Sequence, residues 1–117
     1  MDYTNQFHKE LKRLMDEYVS KVYDYTQDFP KEELYGVTSQ LRRSSLSVIL
    51  NYIEGFARRR DKVYKNYLEI SYASLKESKY LIYFSLKRNY INKEQQDELR
   101  EIADKIGAML WGIITKL

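Results

Sequence analysis

A group of basic side chains between residues 37 and 65 is the feature of the sequence best suited to binding. It includes three consecutive arginines, within the stretch NYIEGFARRR. The group consists of Arg42, Arg43, Arg58, Arg59, Arg60, Lys62 and Lys65. The same range holds only two acidic side chains, whereas the whole chain has a net charge of only +3, so the remainder is net negative. This concentration of charge indicates an anionic partner, and phosphate contacts would bind RNA or DNA with little reading of base sequence.

Plainer explanations exist for both ends of this group. Cations at the C-terminus of a helix offset its dipole by about 0.3–1 kcal/mol each, which accounts for part of the arginine run. Arg42 and Arg43 begin a predicted helix, where this effect is absent, so they pair either with acids of a neighbouring chain or with phosphate. The two clusters lie roughly 24 Å apart along a helix. They therefore form two sites or a tract, and not one pocket.

Residues that would support catalysis or cofactor binding are lacking. The chain has no cysteine, which excludes disulfides, thiolate nucleophiles and zinc–thiolate sites. We interpret its one histidine, His8, as a surface or helix-end residue, because no nucleophile or acid is placed to work with it. The Glu-x-x-His pairs of di-iron bundles and a glycine-rich phosphate loop are also missing. We predict no metal, no cofactor and no enzymatic activity.

Asn51 and Glu54 lie three residues apart in an otherwise apolar segment, so they face similar sides of a helix. An unpaired buried carboxylate is costly. We therefore expect these two side chains to hold a helix or subunit contact through hydrogen bonds, with an arginine as one candidate partner of Glu54. Their predicted role is structural.

Aromatic residues are the other unusual feature, since the chain has 12 tyrosines against 4 phenylalanines. Five tyrosines crowd the third predicted helix: Tyr64, Tyr67, Tyr72, Tyr80 and Tyr83. Tyrosine suits half-buried positions and protein interfaces, and it can also stack on unpaired bases. We favour the edge of the fold or a subunit interface for them and for Trp111, and base stacking is the alternative.

Four helices must position these residues. Apolar residues recur every three or four positions over about 3–26, 37–59, 61–88 and from Asn92 to the end of the sequence. Asp61 and the pair Asn92 and Gln95 suggest caps, and Thr38 or a neighbour is expected to cap the second helix after Gly36. Long helices joined by short breaks predict one all-α domain over residues 1–117, an antiparallel up-down-up-down four-helix bundle.

Parts of this bundle are expected to pack unusually closely. The second helix is apolar on more than one face, which indicates burial in the core and against a partner subunit. Ser44, Ser45 and Ser47 are small enough for close helix approach, although they could equally be solvent-facing or backbone-bonded. Gly107 and Gly112 each cost about 1 kcal/mol in a helix interior, so a closely packed neighbour is a reasonable compensation.

The expected location is the cytoplasm, most simply of a bacterium. No segment approaches the roughly 20 apolar residues of a membrane span, so we predict no membrane association. The beginning of the sequence, MDYTNQFHKELKR, is amphipathic and lacks the apolar region of a signal peptide.

The segment FPKEELYGVTSQLRRSSLSVILNYIEGFARR, residues 29–59, resembles the proteins encoded by intervening sequences in bacterial 23S ribosomal RNA genes. The matching features are FPxEExYG(V/L)TSQLRR, then S(V/I)xxNxxEG and a basic pair. Downstream, residues 67–77 are similar to the family's (F/Y)LxIAxGSLxE stretch. Ile49 replaces a common proline and Ala73 a common glycine, which leaves the helical pattern intact.

This resemblance implies a four-helix bundle that assembles as a homopentameric ring. The accessory protein of diversity-generating retroelements looks similar in fold and assembly, and it binds nucleic acid and its reverse transcriptase. The expected partners are therefore other copies of this chain, RNA or DNA, and a protein such as a reverse transcriptase. No settled activity comes with the family, so a structural or protein-binding adaptor without nucleic-acid affinity is the alternative function.

Overall fold

Four α-helices account for most of the protein in the computed structural model, which describes residues 5–58 and 60–117. They are α1 (Asn5–Thr26), α2 (Val37–Arg58), α3 (Asp61–Lys87) and α4 (Lys93–Ile114). A short 3₁₀ helix, Lys31–Glu33, lies between α1 and α2. The described ranges contain no strand, which confirms the predicted all-α class. None of the helices in these ranges has the length and apolarity needed to cross a membrane.

Local sequence predicted the cap of α4 correctly but not the cap of α3. The capping box of α4 is confirmed, since the Gln95 backbone N–H donates to the Asn92 side chain at 2.8 Å and the Asn92 N–H donates to the Gln95 side chain at 3.0 Å. Asp61 is not the cap of α3. Arg60 takes that position without a side-chain cap bond, and Asp61 is the first helical residue.

Thr38 is likewise not the cap of α2. It lies inside the helix and is buried, and its hydroxyl finds no hydrogen-bond partner among the described residues. The Glu33 carboxylate instead accepts the Val37 backbone N–H at 3.3 Å. This is possible because the 3₁₀ turn after Pro30 places Glu33 beside the first turn of α2.

The core is built from the apolar stripes of the four helices. Its fully buried members include Leu11, Tyr18, Val22, Leu41, Val48, Tyr52, Leu68, Leu75, Leu99, Ile106 and Leu110. Tyr18 and Tyr52 carry hydroxyl groups into this core. The Tyr18 hydroxyl bonds to the Ser78 hydroxyl at 2.7 Å and the Tyr52 hydroxyl bonds to the His8 ring, so neither is an unpaired polar group.

Helices α2 and α3 approach each other closely through small residues. The Ser71 hydroxyl donates to the Val48 carbonyl at 2.6 Å, and the Ser47 and Ser74 hydroxyls are 2.9 Å apart. A side chain at Gly55 would place its Cβ only 2.8 Å from the Tyr67 Cβ, so that position has no room for one. Close backbone approach therefore depends on glycine and serine at this interface.

The serines of α2 combine the two roles expected of them. Ser44 and Ser45 are buried, and their hydroxyls donate to the backbone carbonyls of Leu41 and Arg42. Ser47 instead bonds across to α3. Small size and backbone bonding thus act together.

In the contacts between neighbouring helices, residues towards the end of one helix meet residues towards the start of its neighbour, and residues near the middle of one meet residues near the middle of the other. The contacts are Thr26 with Arg42 and His8 with Tyr52, Ser47 with Ser74, Tyr72 with Trp111, Lys79 with Asp104, and Tyr25 with Glu98. As a result, the C-terminal end of α2 and the start of α3 lie at the same end of the molecule as the start of α1.

Candidate nucleic-acid interface

Arg58 closes α2 and is partly engaged within the chain. Its guanidinium donates to the Glu54 carboxylate at 2.6 Å, and it lies 5.6 Å from the centre of the Tyr67 ring. The hydrogen bond to Glu54 raises the pKa of Arg58, so this side chain stays charged. About half of the side chain remains exposed, at 53%. Arg58 is therefore held in place yet accessible.

The remaining cations of this cluster are less restrained. Arg60 and Lys62 are exposed and Lys65 is half-buried. None of these three forms an ion pair with an acid in residues 5–58 or 60–117. Arg59 lies outside the described residues. Arg60, just before α3, and Lys62 and Lys65, in its first two turns, thus present positive charge that pairs with no acid of the described residues.

Two lysines of α1, which sequence reasoning missed, lie at the same end of α2. Lys9 and Lys12 line a cleft of about 160 Å³ between α1 and α2. Tyr52 and Phe56, one to two turns before α2 ends, form its other side. We call the set Lys9, Lys12, Arg58, Arg60, Lys62 and Lys65 the basic end. The sequence shows that Lys9 and Lys12 lie within one turn of His8 on α1. It does not show that these lysines lie near α2.

His8 lies in the first turn of α1, in keeping with its interpretation as a helix-end residue, but it is half-buried and packs against α2 rather than lying free at the surface. Its ring lies 4.7 Å from that of Phe56, and its Nδ1 is hydrogen-bonded to the Tyr52 hydroxyl. The physical reason is that Tyr52 is fully buried and its hydroxyl needs a polar partner. His8 supplies one from α1.

At the other end of α2, Arg42 and Arg43 have different surroundings. The Arg42 Nε donates to the Thr26 hydroxyl at 2.8 Å, and its guanidinium lies 5.0 Å from the Tyr23 ring centre, so Arg42 fastens α2 to the end of α1. Arg43 is exposed and lines the groove between α2 and α3 together with Glu77. These two arginines are therefore separated from the basic end by most of the length of α2.

The groove between α2 and α3 has a volume of about 740 Å³ and is bordered by an exposed aliphatic ridge. The ridge consists of Leu46, Leu50 and Ile53, which are 36%, 54% and 44% exposed. They recur at four and three residues along α2, so they form a continuous apolar stripe. This second apolar face of α2 is the one noticed in the sequence, and no described part of the chain covers it.

Asn51 and Glu54 make polar contacts of different kinds. Asn51 is half-buried and donates to the Ser47 hydroxyl at 2.8 Å, and Ser47 in turn bonds to Ser74 of α3. Asn51 thus acts on the α2–α3 contact through Ser47. Glu54 is exposed and pairs with Arg58 within α2, so it does not carry a buried charge.

The aromatic residues of α3 divide into two groups. Tyr64 and Tyr67 pack against Gly55 on α2. Further along α3, Tyr72 lies 5.5 Å from the exposed Trp111 of α4, and Tyr80 and Tyr83 are 62% and 48% exposed. The second group is therefore a solvent-facing aromatic surface at the side of α3 that faces α4.

The described residues do not assemble a metal site, since they contain no group of three histidine or acidic side chains suited to hold an ion. Displaced pKa values occur in structural contacts: burial raises the pKa of Tyr18, and Lys21 lowers that of Glu98. The chemistry that the site supports is electrostatic, since the cations of the basic end can bind anions.

Residues 9–112 match the model of a protein family described as 23S rRNA-intervening sequence protein. A crystal structure of a protein with unknown function, from the S23 ribosomal protein family of Bacteroides thetaiotaomicron, has a similar fold, with a TM-score of 0.80 at 20% sequence identity. The match covers 89% of this chain and 97% of that chain. At this identity the likeness establishes a shared fold alone. No curated protein matches the sequence.

Proposed function

Because the chain belongs to the family of 23S rRNA-intervening sequence proteins, we propose that it is a non-enzymatic protein that binds RNA or DNA through its basic end. The observation that carries the proposal is the trio Arg60, Lys62 and Lys65, which has no acidic partner among the described residues. Lys9 and Lys12 extend the same surface onto α1. A solvated helix end would not need cations from three helices and a connection.

The proposed binding is electrostatic and reads little base sequence. Exposed lysine and arginine side chains at the basic end can reach phosphate oxygens, and contacts of this kind position a nucleic acid without reading its bases. Each neutralised phosphate releases counterions, so affinity should fall steeply with salt. Arg58 contributes less than its neighbours, because Glu54 offsets part of its charge.

The proposal includes an assembly. The order of contacts between neighbouring helices supports an antiparallel up-down-up-down bundle, and the exposed ridge of Leu46, Leu50 and Ile53 supports burial against further copies of the chain, in a homopentameric ring. Five basic ends in a ring would place a strong positive field on one face, which raises the local concentration of a polyanion.

The test is a fluorescence-anisotropy titration of the purified protein with labelled RNA and DNA, as duplexes and single strands. We expect binding at about 50 mM salt that weakens by orders of magnitude at about 200 mM. The variant Arg60→Glu/Lys62→Glu/Lys65→Glu should lose this binding. All three side chains lie at the surface or its edge, so its melting temperature should stay close to that of the wild type.

A matched control uses basic residues away from the basic end. Lys31, Arg88 and Lys93 lie near the opposite end of the molecule, and all three are exposed. The variant Lys31→Glu/Arg88→Glu/Lys93→Glu changes the net charge by the same total amount. It should bind almost normally if the position of the charge matters, and equal losses in both variants would contradict a defined site.

The second candidate is a structural or protein-binding adaptor, with other copies of this chain or a protein such as a reverse transcriptase as partner. The aliphatic ridge on α2 favours it, because three exposed branched residues in one stripe are typical of a surface buried against protein. The same titration separates the two functions. An adaptor would show no polynucleotide binding even at low salt.

A further inference from the structure

We infer that the exposed face of α3 beside α4 is a second surface, one that stacks unpaired nucleotides of an RNA or DNA strand. This inference rests on the proposed function and deepens it by naming single-stranded nucleic acid as the preferred ligand. It concerns residues far along α3 from the basic end. We call the residues Tyr72, Lys76, Tyr80, Tyr83 and Lys87 the tyrosine–lysine stripe.

The stripe is continuous because of its spacing. Its members follow each other at intervals of four, four, three and four residues, so they share one side of a helix with 3.6 residues per turn. From first to last they span roughly 22 Å at 1.5 Å per residue. One lysine follows Tyr72 and another follows the pair Tyr80 and Tyr83, so cations are interspersed with rings along this length, as is needed to meet both bases and phosphates.

The rings are accessible. Tyr80 is 62% exposed and Tyr83 is 48% exposed, and their ring centres lie 6.3 Å apart. Trp111 of α4 is 54% exposed and lies 5.5 Å from Tyr72, so it widens the stripe at its start. Tyr80 also stacks on Phe84, with ring centres 6.5 Å apart, yet more than half of its surface stays open. Aromatic side chains this exposed do not serve the core alone.

The lysines are placed beside the rings. Lys76 Nζ lies 5.2 Å from the Tyr72 ring centre, and Lys87 Nζ lies 5.6 Å from that of Tyr83. Neither lysine forms an ion pair with the acids in the described ranges. Lys79, which borders the stripe, is in contrast neutralised by Asp104 at 2.6 Å. The two lysines of the stripe are therefore free to exchange a weak contact with a ring for one with phosphate.

An unpaired strand fits this surface better than a duplex or a protein does. A ring can stack only on a base whose face is open, and every base has such a face, so stacking is tolerant of sequence. Tyrosine is also common in protein interfaces, but Lys76 and Lys87 add positive charge that no acid of the described residues pairs with, which favours a polyanion here and an apolar partner at the ridge Leu46, Leu50 and Ile53. Aromatic rings beside positive charge are typical of surfaces that bind single strands.

The test compares oligo(U) and oligo(dT) of about 10 nucleotides, within the site sizes that such surfaces cover, with a duplex of the same length. In Tyr80→Ala/Tyr83→Ala, affinity for the single strands should fall by roughly 5- to 100-fold for each base that can no longer stack. Duplex affinity and the slope of affinity against salt should stay unchanged. Equal reductions for oligo(U) and oligo(dT) would show that the surface binds single-stranded RNA and DNA alike. A larger reduction for one of them would assign the surface to RNA or to DNA.

Two controls keep the result interpretable. Tyr80→Phe/Tyr83→Phe retains the rings and should bind single strands normally, and Tyr35→Ala removes a tyrosine that is 92% exposed elsewhere and should also leave binding unchanged. If the wild type binds polynucleotide and the alanine variant binds single strands as well as it does, the stripe is not a stacking surface. If the alanine variant instead changes only the oligomeric state, the stripe is a protein interface and the inference is wrong. If the wild type binds no polynucleotide, the proposed function fails as well.

Discussion

Gly55 occupies the narrowest point between α2 and α3. A Cβ there would lie 2.8 Å from the Tyr67 Cβ and 3.3 Å from the Tyr64 ring. The Tyr67 Cβ is attached to backbone and cannot rotate away, so Gly55→Ala should push the two helices apart. We expect a decrease of about 1–3 kcal/mol in the free energy of unfolding, the usual cost of overpacking. Urea unfolding followed by circular dichroism measures it.

Gly107 is the natural control, because it is also a helix-interior glycine but is not tightly packed. A Cβ at this position would meet Leu75 at 3.4 Å, an ordinary contact. Gly107→Ala should therefore stabilise the protein by up to about 1 kcal/mol through the better helix propensity of alanine. Equal effects at both glycines would contradict the tight packing inferred between α2 and α3.

These two glycines also illustrate the limit of sequence reasoning about single residues. The sequence predicted a closely packed neighbour at Gly107, where the structure has room for a methyl group. The tight position is Gly55, next to Glu54, and nothing in its local spacing distinguishes it. Which glycine is essential depends on the side chain that a different helix places opposite it.

Between elements, Glu98 links α4 to α1. Its carboxylate is ion-paired with Lys21 and accepts a hydrogen bond from the Tyr25 hydroxyl at 2.9 Å. The bond from Lys21, then that from Tyr25, holds the pKa of Glu98 below its ordinary value of 4.5. Because the folded-state pKa is the lower one, the folded protein binds fewer protons, and the stabilisation is present above pH 4.5 and disappears as pH falls through the folded-state pKa.

Glu98→Gln should accordingly lower the free energy of unfolding at neutral pH by up to about 1 kcal/mol, as for other exposed ion pairs. The difference from the wild type should shrink as the pH falls from 4.5 through the folded-state pKa of Glu98, because the carboxylate becomes protonated. Urea unfolding at neutral and at acid pH tests this. Glu101 is 72% exposed and lies 3.7 Å from Lys105, a long contact for an ion pair. Glu101→Gln should therefore change the free energy of unfolding little at either pH. A difference for Glu98→Gln that persisted in acid would assign the effect to packing.

The start of α4 depends on a strictly local motif, so its removal should have a local cost. Asn92→Ala deletes the side-chain acceptor for the Gln95 backbone N–H and should destabilise the protein by about 1 kcal/mol. Asp61→Ala should cost less, because Asp61 is not the cap of α3 and its charge only favours the helix dipole. Thermal melting of the two variants compares them, and a larger destabilisation by Asp61→Ala would contradict the observed caps.

The limits and caps of the helices were predictable where neighbouring residues in the sequence determine them, and less so where a contact with another segment does. The described helix limits of α1 and α2 match the predicted end at Thr26 and start at Val37, because Pro30 and the apolar period define them. The predicted caps of α2 and α3 were wrong. At α2 the acceptor comes from Glu33, whose position depends on how the 3₁₀ turn folds back.

At the scale of the whole molecule, the aliphatic ridge on α2 should control assembly. Leu50 is 54% exposed, so Leu50→Glu can be accommodated in the isolated chain but not in an apolar interface. We expect the wild type to be an oligomer by light scattering and Leu50→Glu to be smaller, with little change in helix content. Leu34→Glu, at a comparably exposed leucine (49%) outside the ridge, should assemble normally. A wild type that is monomeric at all concentrations would contradict the proposed ring.

The basic end was only half visible in the sequence. Arg58, Arg60, Lys62 and Lys65 follow each other closely and could be recognised as a cluster, and the family resemblance was confirmed over residues 9–112. Lys9 and Lys12 could not be added to the cluster, because their contribution depends on the way α1 packs beside the end of α2. The separation of Arg42 from that surface was predictable from helix rise, whereas its contact with Thr26 was not.

The most direct test of the central claim is the dependence of polynucleotide affinity on salt, measured for the wild type and for Lys62→Gln and Lys65→Gln. Each lysine that contacts phosphate should reduce the slope of log affinity against log salt by about 1 when removed, and binding should weaken equally across sequences. This is the result we predict. An unchanged slope in both variants, or no binding by the wild type at about 50 mM salt, would contradict a phosphate-binding basic end.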